Sequence, residues 1–407
     1  MVASSADFER DFPNLKSAYV LERPVLVKLE SKMIAFIKTP CKIETSFVAQ
    51  NPSLKQTFAN PAIIQIEGNG GTLLWQDLSF IHNAHNPAFT SGILVRDAES
   101  VCIYNFNVYQ SPLHGVEIRD CKKFQVTNCT FSENCFSGLA IVNCENGTIC
   151  NNDVSYNGLE EPINGYGITL TGYKLNRNIK ILGNRCIKNK RKGIDVHNGC
   201  TLNIGNNYVE NIGDSGIAAV SQSSTKLVKD VRIYNNTVVT YSESPTSGIN
   251  VGSYMDGKDC PIEVGNVEVT NNTIYNPKIL RRMNAKGILV YMPQEKGAVI
   301  DRLDISDNNI ILNGNGPNYG ICVAVSPLTI PKAKIHANNI QMLGECVAGI
   351  LASSVKDLDM QANLVSVESG YWGICVGKNP REISGFSTNV IEGKFIYGRC
   401  DLPNYSQ

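Results

Sequence analysis

The sequence has 14 cysteines in 407 residues, yet no two of them stand in a C-x-x-C pair. A structural zinc site or a thioredoxin-like redox motif needs that spacing, so neither is expected, and no metal or other cofactor is called for. No apolar run approaches the length of about 18 residues that would span a bilayer, and residues 1 to 20 carry no apolar stretch behind a basic start. The expectation is a protein made in the cytoplasm without a signal peptide and without membrane insertion. Charge of one sign is missing as well: Lys plus Arg and Asp plus Glu number 37 each, leaving no basic field for nucleic acid. A polyanionic substrate would have to be met by a local patch.

What the chain has instead is a glycine followed by a branched apolar residue, eleven times: Gly92, Gly115, Gly138, Gly167, Gly193, Gly216, Gly248, Gly287, Gly320, Gly349 and Gly373. The steps between them run 23, 23, 29, 26, 23, 32, 39, 33, 29 and 24 residues. Downstream of the glycines an apolar-x-x-Asn-x-apolar word recurs, placing Asn152, Asn184, Asn207, Asn236, Asn272, Asn308, Asn338, Asn363 and Asn389 in one column. Such self-similarity marks a solenoid. Short apolar alternations with no helical stretch, and a shortest step of 23 residues, fit a coil of three strands and three turns. No leucine consensus is present, which excludes a leucine-rich repeat. Stacked at about 4.8 Å, the Asn amides would bond from coil to coil. Upstream the same column holds Leu78, Phe106 and Cys129.

With 43% hydrophobic residues the chain can bury a large core, and the unbroken repeat reads as one elongated domain over residues 61–396. Residues 1–60 lack the repeat; their strand-like words, including Val25 to Leu29 and Met33 to Ile37, are assigned to an N-terminal cap over the first coil's edge. Residues 397–407 form a short C-terminal tail. Cysteines recur in columns, Cys121 with Cys144 and Cys322 with Cys375. Neighbouring coils could bring such pairs to disulfide distance, but the reading adopted is a small apolar filler.

Residues beyond the minimal coil cluster just before and just after the glycine-led strand, at 155–166, 240–247 and 275–286 on one side and 171–178, 220–230 and 252–266 on the other. Stacked in register, they would wall a groove on that strand's outer face. By strand alternation its outward residues are expected to face solvent: Glu117 and Arg119, Thr169, Asp195 and His197, Asn250 and Tyr291 among them. Asp195 and His197 are the candidate acid and base, with Asp214, Glu160 or Glu161 as the partner carboxylate of an inverting pair. Lys190, Arg191 and Lys192, with Arg119, are candidates for holding acidic sugars, and Tyr166, Tyr319 and Trp372, just before the repeat glycine, with Tyr173, Tyr254 and Tyr291 are candidate sugar platforms. Each residue also has a plain alternative, as a capping or packing group in a turn.

The Gly-Ile-x-Val words, the Asn-Asn turns and the coil length resemble the right-handed parallel β-helix of the pectate-lyase-like superfamily. The segment Gly193-Ile-Asp-Val-His-Asn-Gly199 within it resembles phage tailspike depolymerases and, more faintly, alginate C5-epimerases. The resemblance covers roughly Ile63 to Ile396. It implies an all-β, single-stranded right-handed parallel β-helix of about twelve coils. It implies endo-acting cleavage of a bacterial surface polysaccharide, by hydrolysis more than by lyase chemistry, in a homotrimer carried on a phage tail. A non-catalytic glycan-binding spike and a polyuronate lyase or epimerase are the alternatives, since this fold hosts all of them. The epimerase word is incomplete: Lys192 stands where that family has tyrosine, and Val196 where it has proline.

Overall fold

The computed structural model describes residues 19–21, 24–39, 42–46, 62–83, 90–158, 165–211, 213–221, 227–240, 247–253, 262–276, 280–281, 285–292, 298–325, 330–353, 355–377 and 382–392. The chain divides into two compact units, Met1–Asp195 and Val196–Gln407. Among the described residues there is no α-helix; one short 3₁₀ turn, Phe386–Thr388, is the only helical element.

In the first unit each coil is three strands, as in His114–Arg119, Phe124–Thr127 and Thr130–Ser132. The next coil repeats them as Ser137–Val142, Glu145–Cys150 and Asp153–Ser155. Every pairing is parallel: Val116 lies beside Leu139 and Leu139 beside Ile168, Phe124 beside Gly147, and Thr130 beside Asp153. The inward residues of the glycine-led strand, from Ile93 through Val116, Leu139 and Ile168 to Ile194, are fully buried. Each contributes on the order of 1.5–3 kcal/mol by leaving water. The second unit carries the same column through Ile217, Ile249, Ile288, Ile321, Ile350 and Ile374.

The repeat glycine has a steric reason. A Cβ on Gly115 would lie 2.6 Å from the carbonyl oxygen of Gly138, and one on Gly320 would lie 2.5 Å from that of Gly349. Only glycine lets successive backbones approach this closely at the corner.

The asparagine ladder is present in both units. In the first, the Nδ2 of Asn152 donates to the Oδ1 of Asn184 at 2.9 Å. In the second, the chain of amide bonds runs from Asn207 through Asn236, Asn272, Asn308, Asn338 and Asn363 to Asn389, each at 2.8–3.0 Å. The turns before the ladder column place Asn128, Asn151, Asn206, Asn235 and Asn271 at φ near +55°, a region Asn enters at low cost, and Asp307, Ala337 and Ala362 take the same conformation further along. Cys129 heads the ladder in the first unit, its N–H donating to Asn152 Oδ1 while its sulfur accepts from Phe106 N–H. A second ladder, Asn134 to Asn157 to Asn189 at 2.8 Å per bond, fills the corner before the glycine. The sequence reading did not anticipate it.

Among the described residues, parallel stacking begins at Tyr19, inside the segment expected to be a cap. Tyr19–Leu21 pairs with Lys42–Thr45, Val25–Lys28 with Ala62–Glu67, and Ile34–Lys38 with Thr72–Gln76. These strands stack without the repeat glycine, which is why the pattern did not reach them. The remainder of the expected cap, residues 1–18, 22–23, 40–41 and 47–60, and the tail, 397–407, lie outside the described residues.

Candidate functional site

Strand alternation assigns the side of the sheet correctly, but the solvent-facing groove expected there is not what these positions show. Glu117 is 3% exposed, Asp195 0%, Thr169 3% and, in the second unit, Asn250 2%. Ala140, Val142, Ala218 and Val220 on the same face are buried too. Alternation fixes which face a side chain takes; whether that face meets water depends on chain elsewhere.

In the first unit this covered face carries two charged clusters. Glu117 accepts from Arg119 through Nε at 2.8 Å and through Nη2, and its other oxygen accepts from the Ser91 hydroxyl at 2.9 Å. His114 stands one coil-column over, before the repeat glycine, and its Nδ1 is buried with no hydrogen-bond partner among the described residues. Burial holds the His114 imidazole below its ordinary pKa, partly offset by Glu117 and reinforced by Arg119.

The second cluster lies where strand Tyr166–Thr171 meets strand Lys192–Val196. Lys192 and Asp195 form a buried ion pair, Nζ to Oδ1 2.9 Å. The Arg191 guanidinium donates to the Tyr166 hydroxyl at 2.8 Å, and the Lys192 ammonium lies 5.9 Å from the centre of the Tyr166 ring. The turn is set by Gly165, whose carbonyl accepts from the N–H groups of Arg191 and Lys192. A Cβ on Gly165 would meet that of Lys190 at 2.6 Å. Phe136 joins the clusters, edge-to-face with His114 at 5.3 Å and with Tyr166 at 5.4 Å. Lys190 and Arg191 are half-buried at one rim; Tyr173 is exposed at the other, with the Lys174 ammonium 5.7 Å from its ring centre.

His197 follows Asp195 by two residues, just past the boundary between the units, and is buried; Asp214, in the second unit, is half-buried and accepts from the Ser215 hydroxyl at 3.2 Å. Asn250 and Tyr291 are also in the second unit, and Tyr291 is half-buried. Glu160, Glu161 and Tyr254 lie outside the described residues. In the second unit Tyr319, Cys322, Ala348, Leu351 and Cys375 form a packed apolar cluster on the outer face, against which Trp372 lies. Tyr319 and Trp372 are therefore packing groups there, not open sugar platforms. Residues missed from sequence are Ser91, His114 and Phe136. The signal was the column one place before the glycine, Ser91, His114, Ser137, Tyr166 and Lys192, which shares the outer face with Glu117 and Asp195.

No group of three or more His, Cys, Asp or Glu that could hold a metal ion occurs among the described residues. No helix there is long and apolar enough to cross a membrane.

Residues 62–238 match the family described as "Right handed beta helix region". No curated protein matches the chain by sequence. Among solved structures the chain is similar to PfbA, a surface adhesin of Streptococcus pneumoniae, at 14% identity, with 91% of this chain and 87% of that one covered and a TM-score of 0.47. It is similar to the family 28 exopolygalacturonase of Yersinia enterocolitica at 11% identity, covering 96% and 76%, with a TM-score of 0.41. It is also similar to tailspike protein 2 of the Escherichia coli O157:H7 bacteriophage CAB120 at 12% identity, covering 79% and 39%, with a TM-score of 0.37. The parallel three-strand coils agree with the family match, and the fold of the described residues is a right-handed parallel β-helix.

Proposed function

We propose that the first unit binds and cleaves a polysaccharide on the outer face of its glycine-led sheet, at the cluster of Tyr166, Arg191, Lys192 and Asp195. The observation that carries this is the Tyr166 hydroxyl held at 2.8 Å by Arg191 beside a buried Lys192–Asp195 pair. A structural ion pair needs no aromatic hydroxyl braced by a further cation.

The geometry favours elimination over hydrolysis. A glycosidase needs two carboxyl groups about 5–9.5 Å apart. Glu117 and Asp195 are three coils apart in one column, about 14 Å, and each is already bound by a cation. In elimination, Lys190 and Arg191 at the rim neutralise the uronate carboxylate. Tyr166, acting as the phenolate beside the Arg191 guanidinium, takes the proton at C5; the electron pair forms the C4–C5 double bond as the glycosidic bond breaks, and the Tyr166 hydroxyl returns that proton to the leaving oxygen. Lys192 and Asp195 hold Tyr166 and the turn in place. Hydrolysis is the second reading: Asp195 would act with Glu160 or Glu161, close in sequence to Tyr166. A non-catalytic glycan-binding spike is the third, favoured by the internal pairing of Glu117 with Arg119 and Ser91.

Incubation with a panel of capsular, exopolysaccharide and O-antigen polymers tests all three. Elimination gives new reducing ends together with an unsaturated, ultraviolet-absorbing product; hydrolysis gives reducing ends alone; a spike gives neither while still binding. Tyr166→Phe should lower turnover at least about 100-fold with the melting temperature unchanged. Full activity in that variant would remove Tyr166 from the chemistry. A homotrimer on a phage tail is the setting proposed for this activity.

A further inference from the structure

Packing, not hydrogen bonding, holds the His114 ring. The residue is half-buried on strand His114–Arg119, and its Nδ1 is enclosed with no hydrogen-bond partner among the described residues. Ser137, beside it in the next coil, is fully buried, and its Oγ has no partner among them either. No hydrogen bond to Nε2 occurs among the described residues, and Nε2 is not one of the enclosed unbonded atoms, so it is the nitrogen open to solvent. Phe136 fixes the ring, edge-on at 5.3 Å and 86°. A histidine kept for the fold alone would have its buried nitrogen satisfied, because an unpaired polar atom in the interior is costly.

The same Phe136 ring packs at 5.4 Å against Tyr166, and His114, Ser137 and Tyr166 follow one another in register. His114 thus stands two coils from Tyr166, about 10 Å along the column. The two ends of this stretch differ in charge. At Tyr166, Lys190 and Arg191 lie half-buried at the rim and suit an acidic sugar. At His114, the Glu117 carboxylate is taken up by Arg119 and Ser91. Burial keeps the imidazole neutral by lowering its pKa, with Glu117 opposing and Arg119 reinforcing. A sugar carboxylate here would leave water for a neutral ring near another carboxylate. An uncharged hydroxyl or acetamido group would find in Nε2 a nitrogen able to donate or accept.

We propose that His114 is a specificity-determining residue whose Nε2 hydrogen-bonds a neutral sugar, so that the polymer accepted on this face carries neutral sugars between its uronates. This rests on the reading of the Tyr166 end as the uronate site.

Affinity electrophoresis of the full chain tests it, with two kinds of polymer in the gel. Hyaluronan and unsulfated chondroitin alternate glucuronate with a neutral N-acetylhexosamine; polygalacturonate is acidic at every position. The alternating polymers should bind at least about fivefold more tightly, the scale of one hydrogen bond. His114→Phe keeps a ring against Phe136 but has no nitrogen, and should bring that ratio to about one. His114→Gln, whose amide nitrogen can take the place of Nε2, should restore part of it, and melting curves of both variants separate lost selection from lost fold. A parent that prefers polygalacturonate, a ratio unmoved by His114→Phe, or a Gln variant no better than Phe would each overturn the inference. Elimination at Tyr166 would survive those results wherever an unsaturated product still forms. A His114-dependent ratio without any product would keep the subsite and refute the cleavage, and binding to neither kind of polymer would refute both.

Discussion

Gly320 illustrates how much a single missing side chain decides. Its Cβ would stand 2.5 Å from both the Gly349 oxygen and the Ile340 Cγ2, neither of which can move without shifting a coil. Gly320→Ala should cost more than the usual core substitution, above about 3 kcal/mol by urea unfolding, and a loss under about 1 kcal/mol would show that the corner can relax. His114 makes the opposite kind of statement. Burial lowers its pKa, so the unfolded chain binds a proton that the folded one resists. Its contribution is complete above the unfolded value near 6.5 and is lost progressively as the pH falls below it. His114→Asn should flatten the fall in melting temperature on acidification from neutral pH; an unchanged slope would show that His114 is not its source. The cysteines show that packing sets thiol chemistry. Burial raises Cys129 and Cys322 to about 12 and Cys346 to about 11. Native alkylation should spare these and label the half-exposed Cys102, Cys150 and Cys200 first, as mass spectrometry would show.

At the scale of elements, the ladders govern. Asn236 bonds Asn272 by Nδ2, bonds the Ile204 carbonyl by the same amide, and accepts from Asn207 through its oxygen. Asn236→Ala strips three neighbours at once and should cost about 1–3 kcal/mol with no effect on glycan binding. Loss of function at an unchanged melting temperature would overturn that division of labour. This ladder was legible because Asn recurs in a fixed word. The second ladder was not, because Asn134, Asn157 and Asn189 stand amid insertions of different length. The strands from Tyr19 to Thr45 escaped for a related reason, since they bury Ala35, Ile37 and Ile43 with no repeat glycine to mark them. The face of Glu117 and Asp195 could be read from alternation alone. Its burial could not, because alternation fixes the face of a side chain and not what packs over it.

For the whole molecule, the uniform charge balance conceals a local concentration. Residues 174–192 contain eight Lys or Arg and no Asp or Glu. Arg177, Lys180, Arg185 and Lys188 are exposed along it, and only Arg185 of these has an ion pair among the described residues, with Asp153. Screening by salt acts strongly on such exposed cations and weakly on the buried Lys192–Asp195 pair. If the first unit acts on an acidic polymer, raising the ionic strength should weaken binding several-fold while leaving turnover at saturating substrate nearly constant. Salt independence of both would exclude those exposed cations from recruitment. The homotrimer proposed for the native particle predicts three masses by light scattering at micromolar concentration, against one for a free chain.

The amide ladder of the second unit also bears on how such a chain can change length through descent. Asn272 offers Asn308 the same donor and the same geometry that Asn308 offers Asn338. Removing a whole coil therefore leaves donors facing acceptors of identical kind, whereas removing one residue turns every following side chain inside out. Duplication and loss in units of one coil are the changes the architecture passes on, so related chains should differ in length by steps and not by degrees.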